Sequence, residues 1–251
     1  MAYFTFDDNK IFYKVIGEGE PLLLLHGNSV SSKLFTSVIK LYKRHYKVIL
    51  IDFPGHGKSE RIDKFETDFW YYNSTVCMAL LDELNIDKIN VIGTSGGALV
   101  GINMALEHPE RITFLIADSF EGEYPLPSFT DTIETDREHD KKKFAAKLFW
   151  FMCHGFGWRK VVDQDTVVNV EFAKLGRSFF HKPISELSVP TILTGSKKDE
   201  YCDHLESIYN TLLDKNESLK IHMFDSGNHP AMLSNNRDFF EVVKSSVKSI
   251  R

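Results

Sequence analysis

Three residues of this chain have the types and spacing needed for nucleophilic acyl transfer: Ser95, Asp199 and His229. Ser95 is the centre of Gly93-Thr94-Ser95-Gly96-Gly97, a G-x-S-x-G sequence between a strand-like run, Lys88 to Ile92, and a helix-like run, Gly97 to Glu107. Such a turn strains the serine backbone and lifts its hydroxyl above a sheet, with glycines two before and two after removing side chains that would collide. It also sets the serine at a helix N-terminus, where unpaired N–H groups and the helix dipole favour developing negative charge. A glycine-rich turn can serve only to pack a helix on a strand, so the weight comes from its position and from the partners that follow. A serine hydroxyl needs a base, and the base an orienting acid. Asp199 follows the apolar run Val189 to Thr194, and His229, in Gly227-Asn228-His229-Pro230, follows Leu219 to Phe224. Asp118, at the end of the run Ile112 to Ala117, is a second candidate for the acid.

Positioning these groups requires a sheet whose strand ends converge. Pro21 to Leu25 and Val48 to Ile51 are apolar at every position, the mark of strands covered on both faces as in a parallel sheet. Between them Lys33 to Arg44 has apolar residues at helical spacing, and Glu66 to Leu84 reads as a longer helix. Tyr3 to Phe6 and Lys10 to Ile16 flank Asp7-Asp8-Asn9 and read as an antiparallel hairpin. The strand–helix alternation predicts a doubly wound α/β fold in which catalytic groups gather at the carboxyl ends of the strands. It breaks between Asp118 and Pro183, where an aromatic-rich helical stretch predicts an inserted cap. The expected organisation is a core of residues 1–118 and 184–251 with a helical cap insertion at 119–183; the chain closes on a helix, Asp238 to Ser249.

Composition narrows the partners. A net charge of −5 with both signs scattered leaves no basic stripe for phosphates, which argues against nucleic acid and for a small-molecule acyl substrate. The amino-terminal sequence has no secretory pattern and no apolar run approaches the roughly 18 residues of a membrane span, so the expectation is a cytoplasmic protein without stable membrane association. Cys77, Cys153 and Cys202 form no C-x-x-C pair and are odd in number, implying buried free thiols and neither disulfides nor a metal site.

Taken with Leu25-His26-Gly27-Asn28, Asp52-Phe53-Pro54-Gly55-His56-Gly57-Lys58-Ser59 and the two late loops, the elbow makes the chain resemble the α/β-hydrolase superfamily over essentially its whole length. The resemblance implies the α/β-hydrolase fold: a mostly parallel doubly wound sheet with an antiparallel N-terminal hairpin and an inserted helical cap. It implies Asp199 rather than Asp118 as the acid, an oxyanion hole from the backbone N–H groups of Asn28 and Gly96, and no cofactor. It leaves His26 and His56 as loop braces and Asp52 as a tie for the following turn. A serine at the elbow argues against dehalogenase or epoxide-hydrolase chemistry, which needs a carboxylate there. Carboxylic ester hydrolysis leads the remaining classes, ahead of thioesterase, lipase, carbon–carbon bond hydrolase and perhydrolase; a slow-turnover ligand receptor of the same fold is the reading from another class. The cap aromatics Phe149, Trp150, Phe151, Phe156 and Trp158 are candidates for the substrate pocket, on the argument that they cannot all face water.

Overall fold

The computed structural model describes residues 2–249 of the chain. Its strands are β1 (Ala2–Phe6), β2 (Asn9–Ile16), β3 (Glu20–Leu25), β4 (Tyr46–Ile51), β5 (Ile89–Thr94), β6 (Ile112–Asp118), β7 (Thr191–Ser196) and β8 (Lys220–Phe224). They form one sheet in the order β1-β2-β4-β3-β5-β6-β7-β8. β2 pairs antiparallel with both β1 and β4, and every pairing from β4 to β8 is parallel. Asp7 and Asp8 close the first hairpin with φ of 46° and 62°. Positive φ at both central residues matches the right-handed twist of the strands, and aspartate tolerates it better than most residues.

The helices are α1 (Ile39–Tyr42), α2 (Phe69–Glu83), α3 (Gly96–Glu107), α4 (Pro127–Thr130), α5 (Ile133–Asp140), α6 (Phe144–His154), α7 (Trp158–Lys174), α8 (Leu205–Lys215), α9 (Ala231–Ser234) and α10 (Asn236–Ser249). Strand side chains alternate between two cores, as the pleat requires. Leu23, Leu25, Val91 and Leu115 pack with α2, α3 and α8, whereas Leu22, Leu24, Ile92 and Ile116 pack with Tyr42 of α1 and Phe239 and Val243 of α10. Two cores explain why Leu22 to Leu25 of β3 and Val48 to Ile51 of β4 are apolar without a break.

The helix expected over Lys33 to Arg44 is instead a 3₁₀ turn, Ser32–Ser37, followed by the single turn of α1. Val38 and Leu41 donate to carbonyls three residues back, and Thr36 Oγ1 donates to Lys33 O at 2.6 Å, so local bonds tighten the winding. The expected β7 starts two residues later than its apolar run, past Pro190, which has no N–H to give a ladder. Between β6 and β7 lie α4 to α7. These helices are rooted in the main core: Val161, Val168 and Phe172 of α7 belong to the cluster on the α2/α3 face.

Candidate active site

The carboxyl ends of β3, β5, β7 and β8 place Asn28, Ser95, Asp199 and His229 just beyond the strands, and Asp118 closes β6, all along one edge of the sheet. Ser95 leaves β5 with φ 55° and ψ −127°, a strained conformation, and its N–H donates to Asp118 O at 2.7 Å. Glycine is required on both sides of it. A Cβ on Gly93 would lie 2.1 Å from Gly97 O, and one on Gly97 would lie 2.3 Å from Leu25 O, so only bare backbone lets α3 approach the sheet this closely.

His229 Nδ1 lies 2.9 Å from Asp199 Oδ2 and 3.2 Å from Oδ1. A carboxylate only accepts, so Nδ1–H is the donor and Nε2 is left for the cavity. Burial alone would raise the Asp199 carboxyl, but the hydrogen bond and charge of His229 and the N–H groups of Tyr201 and Cys202, both at 3.0 Å from Oδ1, hold it below the usual value. The His229 backbone is tied by its N–H to Glu200 Oε2 at 2.9 Å. Asp118 has other partners: Oδ1 accepts from Thr194 Oγ1 at 2.8 Å and Oδ2 from Met232 N–H at 2.9 Å. It fixes the chain just after His229 without bonding the imidazole. Burial pushes its carboxyl up to about 7, against those two hydrogen bonds.

Asn28 stands across from the elbow. Its Oδ1 accepts from Trp70 Nε1 and its Nδ2 donates to Asn169 Oδ1, both at 3.2 Å, so α2 and α7 clamp it. Among the described residues the backbone N–H groups of Asn28 and Gly96 donate to no other protein group. His26 accepts from Phe53 N–H at 3.1 Å through Nε2 and bonds Gly27 O through Nδ1, and His56 Nδ1 bonds Pro54 O at 3.1 Å. Both brace loops. Asp52 ties two loops at once, accepting the N–H of Ser32 at 2.8 Å and of Lys58 at 2.7 Å.

A cavity of about 440 Å³ is lined by Ser95, Gly96, Asn28 and His229. No hydrogen bond joins Ser95 Oγ to His229 in this structure; catalytic contacts of this kind commonly tighten when substrate binds. Of the cap aromatics, Phe149 and Trp150 line the cavity and Phe151, Phe156 and Trp158 do not. Successive helical residues turn through about 100°, so Phe151 faces away from the side that Phe149 and Trp150 share. Trp158 stacks on Trp150 at 5.4 Å inside the cap, and Phe151 and Phe156 meet edge to face at 5.2 Å on the outside. The five rings do not all face water: Trp150 and Trp158 are buried, whereas Phe151 and Phe156 stay exposed, Phe156 at 96%.

Sequence reasoning also missed polar members of the wall, notably Glu121, Arg137 and Tyr201. Glu121 makes no hydrogen bond or ion pair among the described residues, and burial pushes its carboxyl up to about 7 against the opposing pull of His229. Its place three residues past β6 was the available signal, since that edge gathers functional groups. Arg137 reaches across from α5 to Asp165 Oδ2 at 2.5 Å and Thr166 Oγ1 at 3.0 Å, welding α5 to α7. Burial raises the Asp165 carboxyl and Arg137 opposes it. Tyr201 sets its ring edge against His229, centroids 5.2 Å apart.

Ligand atoms of Asp199, Cys202 and His229 fall within 4.8 Å of one another, a spacing that could hold a metal ion. The donor set fits a hydrogen-bonded acid–base pair better. Metal would need the thiolate, yet burial drives the Cys202 thiol well above its usual range, and Asp199 already holds the imidazole. All three cysteines are buried and unpaired. No helix among the described residues is long and apolar enough to cross a membrane.

The sequence profile of the alpha/beta hydrolase fold matches residues 20–148. Over 247 residues the chain is 25% identical to the pimeloyl-[acyl-carrier protein] methyl ester esterase of Legionella pneumophila (strain Corby), covering 92% of this chain and 97% of that protein. It is 31% identical over 113 residues, 43% of this chain and 39% of the other, to the 2-hydroxy-6-oxo-6-phenylhexa-2,4-dienoate hydrolase of Comamonas testosteroni. Among solved structures, the esterase of Exiguobacterium antarcticum superposes with a TM-score of 0.76 at 18% identity, covering 98% of this chain and 99% of that one. Est816, described as an N-acyl homoserine lactone degrading enzyme, gives 0.76 at 20% identity over 97% of this chain and 99% of that one. At such identities the structural likeness speaks for the fold.

Proposed function

Because the chain belongs to the alpha/beta hydrolase fold family, we propose that it hydrolyses small to medium carboxylic esters through an acyl-enzyme on Ser95. The observation that carries this reading is the pairing of buried Asp199 with partly buried His229 at 2.9 Å, His229 lining the cavity that Ser95 also lines. His229 Nε2 removes the Ser95 proton as Oγ attacks the ester carbonyl. Asp199 holds the imidazole in the tautomer that leaves Nε2 free and stabilises the imidazolium that forms. The N–H groups of Asn28 and Gly96 receive the oxyanion, a contribution of about 2.7–4 kcal/mol for each such donor. The imidazolium then protonates the departing alcohol, and in the second half-reaction Nε2 activates water to release the acid and free Ser95.

The full-length similarity to a methyl ester esterase supports an ester as the bond cleaved. A cavity of about 440 Å³ is within the usual range for small-molecule sites. Turnover of p-nitrophenyl acetate and butyrate by the native chain and by Ser95→Ala tests the reading. A Ser95→Ala variant as active as the native chain, or a native chain no faster than buffer, rules it out.

A further inference from the structure

The outer face of α6 is apolar and uncovered. Phe144, Leu148, Phe151 and Met152, with Phe156 just beyond the helix, are 79%, 46%, 40%, 51% and 96% exposed. The opposite side of the same helix is already satisfied, since Trp150, Cys153 and His154 are buried against the protein. An apolar patch of this size on a folded surface marks a place of contact rather than scatter.

Charge around the patch identifies what it contacts. Residues 141–160 contain Lys141, Lys142, Lys143, Lys147, Arg159 and Lys160 and no acidic residue, in a chain whose net charge is −5. Lys141, Lys143 and Lys160 are paired with Asp163, Asp140 and Asp63. Lys142, Lys147 and Arg159 make no ion pair among the described residues, so the patch keeps a cationic rim. Protein–protein interfaces are depleted in lysine, and their cores present complementary shape. Two phenylalanines projecting from a lysine-rimmed helix fit a surface that needs no shape match and is itself anionic.

We propose that α6 docks reversibly on an anionic lipid surface, Phe144 and Phe156 entering the acyl boundary while Lys142, Lys147 and Arg159 meet the headgroups. The helix has 11 residues, about 16 Å of rise, so it lies along the surface and does not span the bilayer. Phe149, 38% exposed, lines the cavity from the flank of the same helix, so docking brings the helix that carries the cavity wall to the membrane. Resting on the ester-hydrolase reading, this makes an ester dissolved in or presented by the membrane the substrate that enters past Phe149.

The test is flotation of the purified chain with vesicles of phosphatidylcholine alone and with about 30% phosphatidylglycerol. The native chain should float with the anionic vesicles, weakly or not at all with the neutral ones, and be released by high salt. Phe144→Ser with Phe156→Ser should lower affinity at least about tenfold. Lys142→Gln with Lys147→Gln should lower it about 30-fold, each cation near an anionic surface being worth about fivefold. All four positions lie outside the cavity lining, so hydrolysis of p-nitrophenyl butyrate in solution should stay unchanged. A native chain that stays at the bottom of the gradient, or variants that float as well as it does, overturns the proposal. So does a dimer in sedimentation velocity that the Phe144/Phe156 variant dissolves while vesicles bind neither form, because a second copy would then be the occupant. Flotation requires no turnover. A chain that floats as described but cleaves no ester would defeat the hydrolase reading and leave the docking intact.

Discussion

Asp118 and Asp199 both end at the same edge of the sheet, and their partners separate them. Asp199 bonds the imidazole; Asp118 bonds Thr194 and the backbone of Met232. Asp199→Asn should therefore lower kcat by about 10⁴, the loss expected when the acid can no longer set the histidine tautomer. Asp118→Asn should leave kcat within about tenfold, because none of the hydrogen bonds Asp118 accepts comes from the imidazole and the amide oxygen can still accept some of them; p-nitrophenyl butyrate kinetics on both variants decides, and reversed sensitivities would transfer the role. Glu121 carries a different signature. Its carboxyl is held protonated to about 7 in the fold, whereas in the unfolded chain it ionises near 4.5. The native state thus binds the extra proton between those values, and its contribution to stability is present below 4.5 and lost as pH rises toward 7. Glu121→Gln should raise the urea midpoint relative to the native chain more at pH 8 than at pH 5. An equal change at both would show that this carboxyl ionises normally.

Elements differed in how far the sequence disclosed them. β3 and β4 were legible because strands buried on both faces need apolar residues at every position, as Leu22 to Leu25 and Val48 to Ile51 have, and the elbow was legible because only glycine allows the approach of α3 to Leu25. The segment from Ser32 to Tyr42 was not. Its apolar spacing is helical, but side-chain-to-backbone bonds of the Thr36 kind leave no mark in a hydrophobic pattern. The break in strand–helix alternation after β6 falls where α4 to α7 lie, while the facing of Phe149, Phe151 and Phe156 depended on packing that composition does not encode. His154, likewise absent from any motif, joins α6 to the core: Nδ1 accepts Gly57 N–H at 2.9 Å and Nε2 bonds Ser29 O at 3.0 Å. Burial first, and the nearby charges of His26 and Arg61, hold it down to about 4. Here the native state binds fewer protons than the unfolded chain, so stability is present above about 6.5 and falls as pH drops toward 4. His154→Ala leaves a buried N–H and C=O unpaired and should cost about 2–4 kcal/mol in urea unfolding at pH 7. That cost should shrink at pH 4.5. A pH-independent cost would mean the ring is not held neutral.

For the molecule as a whole, the loops at the strand ends and the helices between β6 and β7 enclose one cavity, with His229 and Ser95 on one side and Phe149 and Trp150 on the other. A chamber of about 440 Å³ limits what can sit against Ser95. Across p-nitrophenyl esters of increasing acyl length, kcat/KM should peak at short to medium chains and fall for the longest; a rate still climbing at palmitate would show that the cavity opens. The central claim is that Ser95 is the nucleophile made reactive by His229 and Asp199, and covalent capture tests it most directly. The native chain, Ser95→Ala and His229→Ala are incubated with a fluorophosphonate, and the adduct is located by peptide mass mapping. The account predicts one adduct, on the native Ser95, none in Ser95→Ala, and labelling slowed by orders of magnitude in His229→Ala. An adduct that persists in Ser95→Ala, or a native chain that takes none, would contradict it.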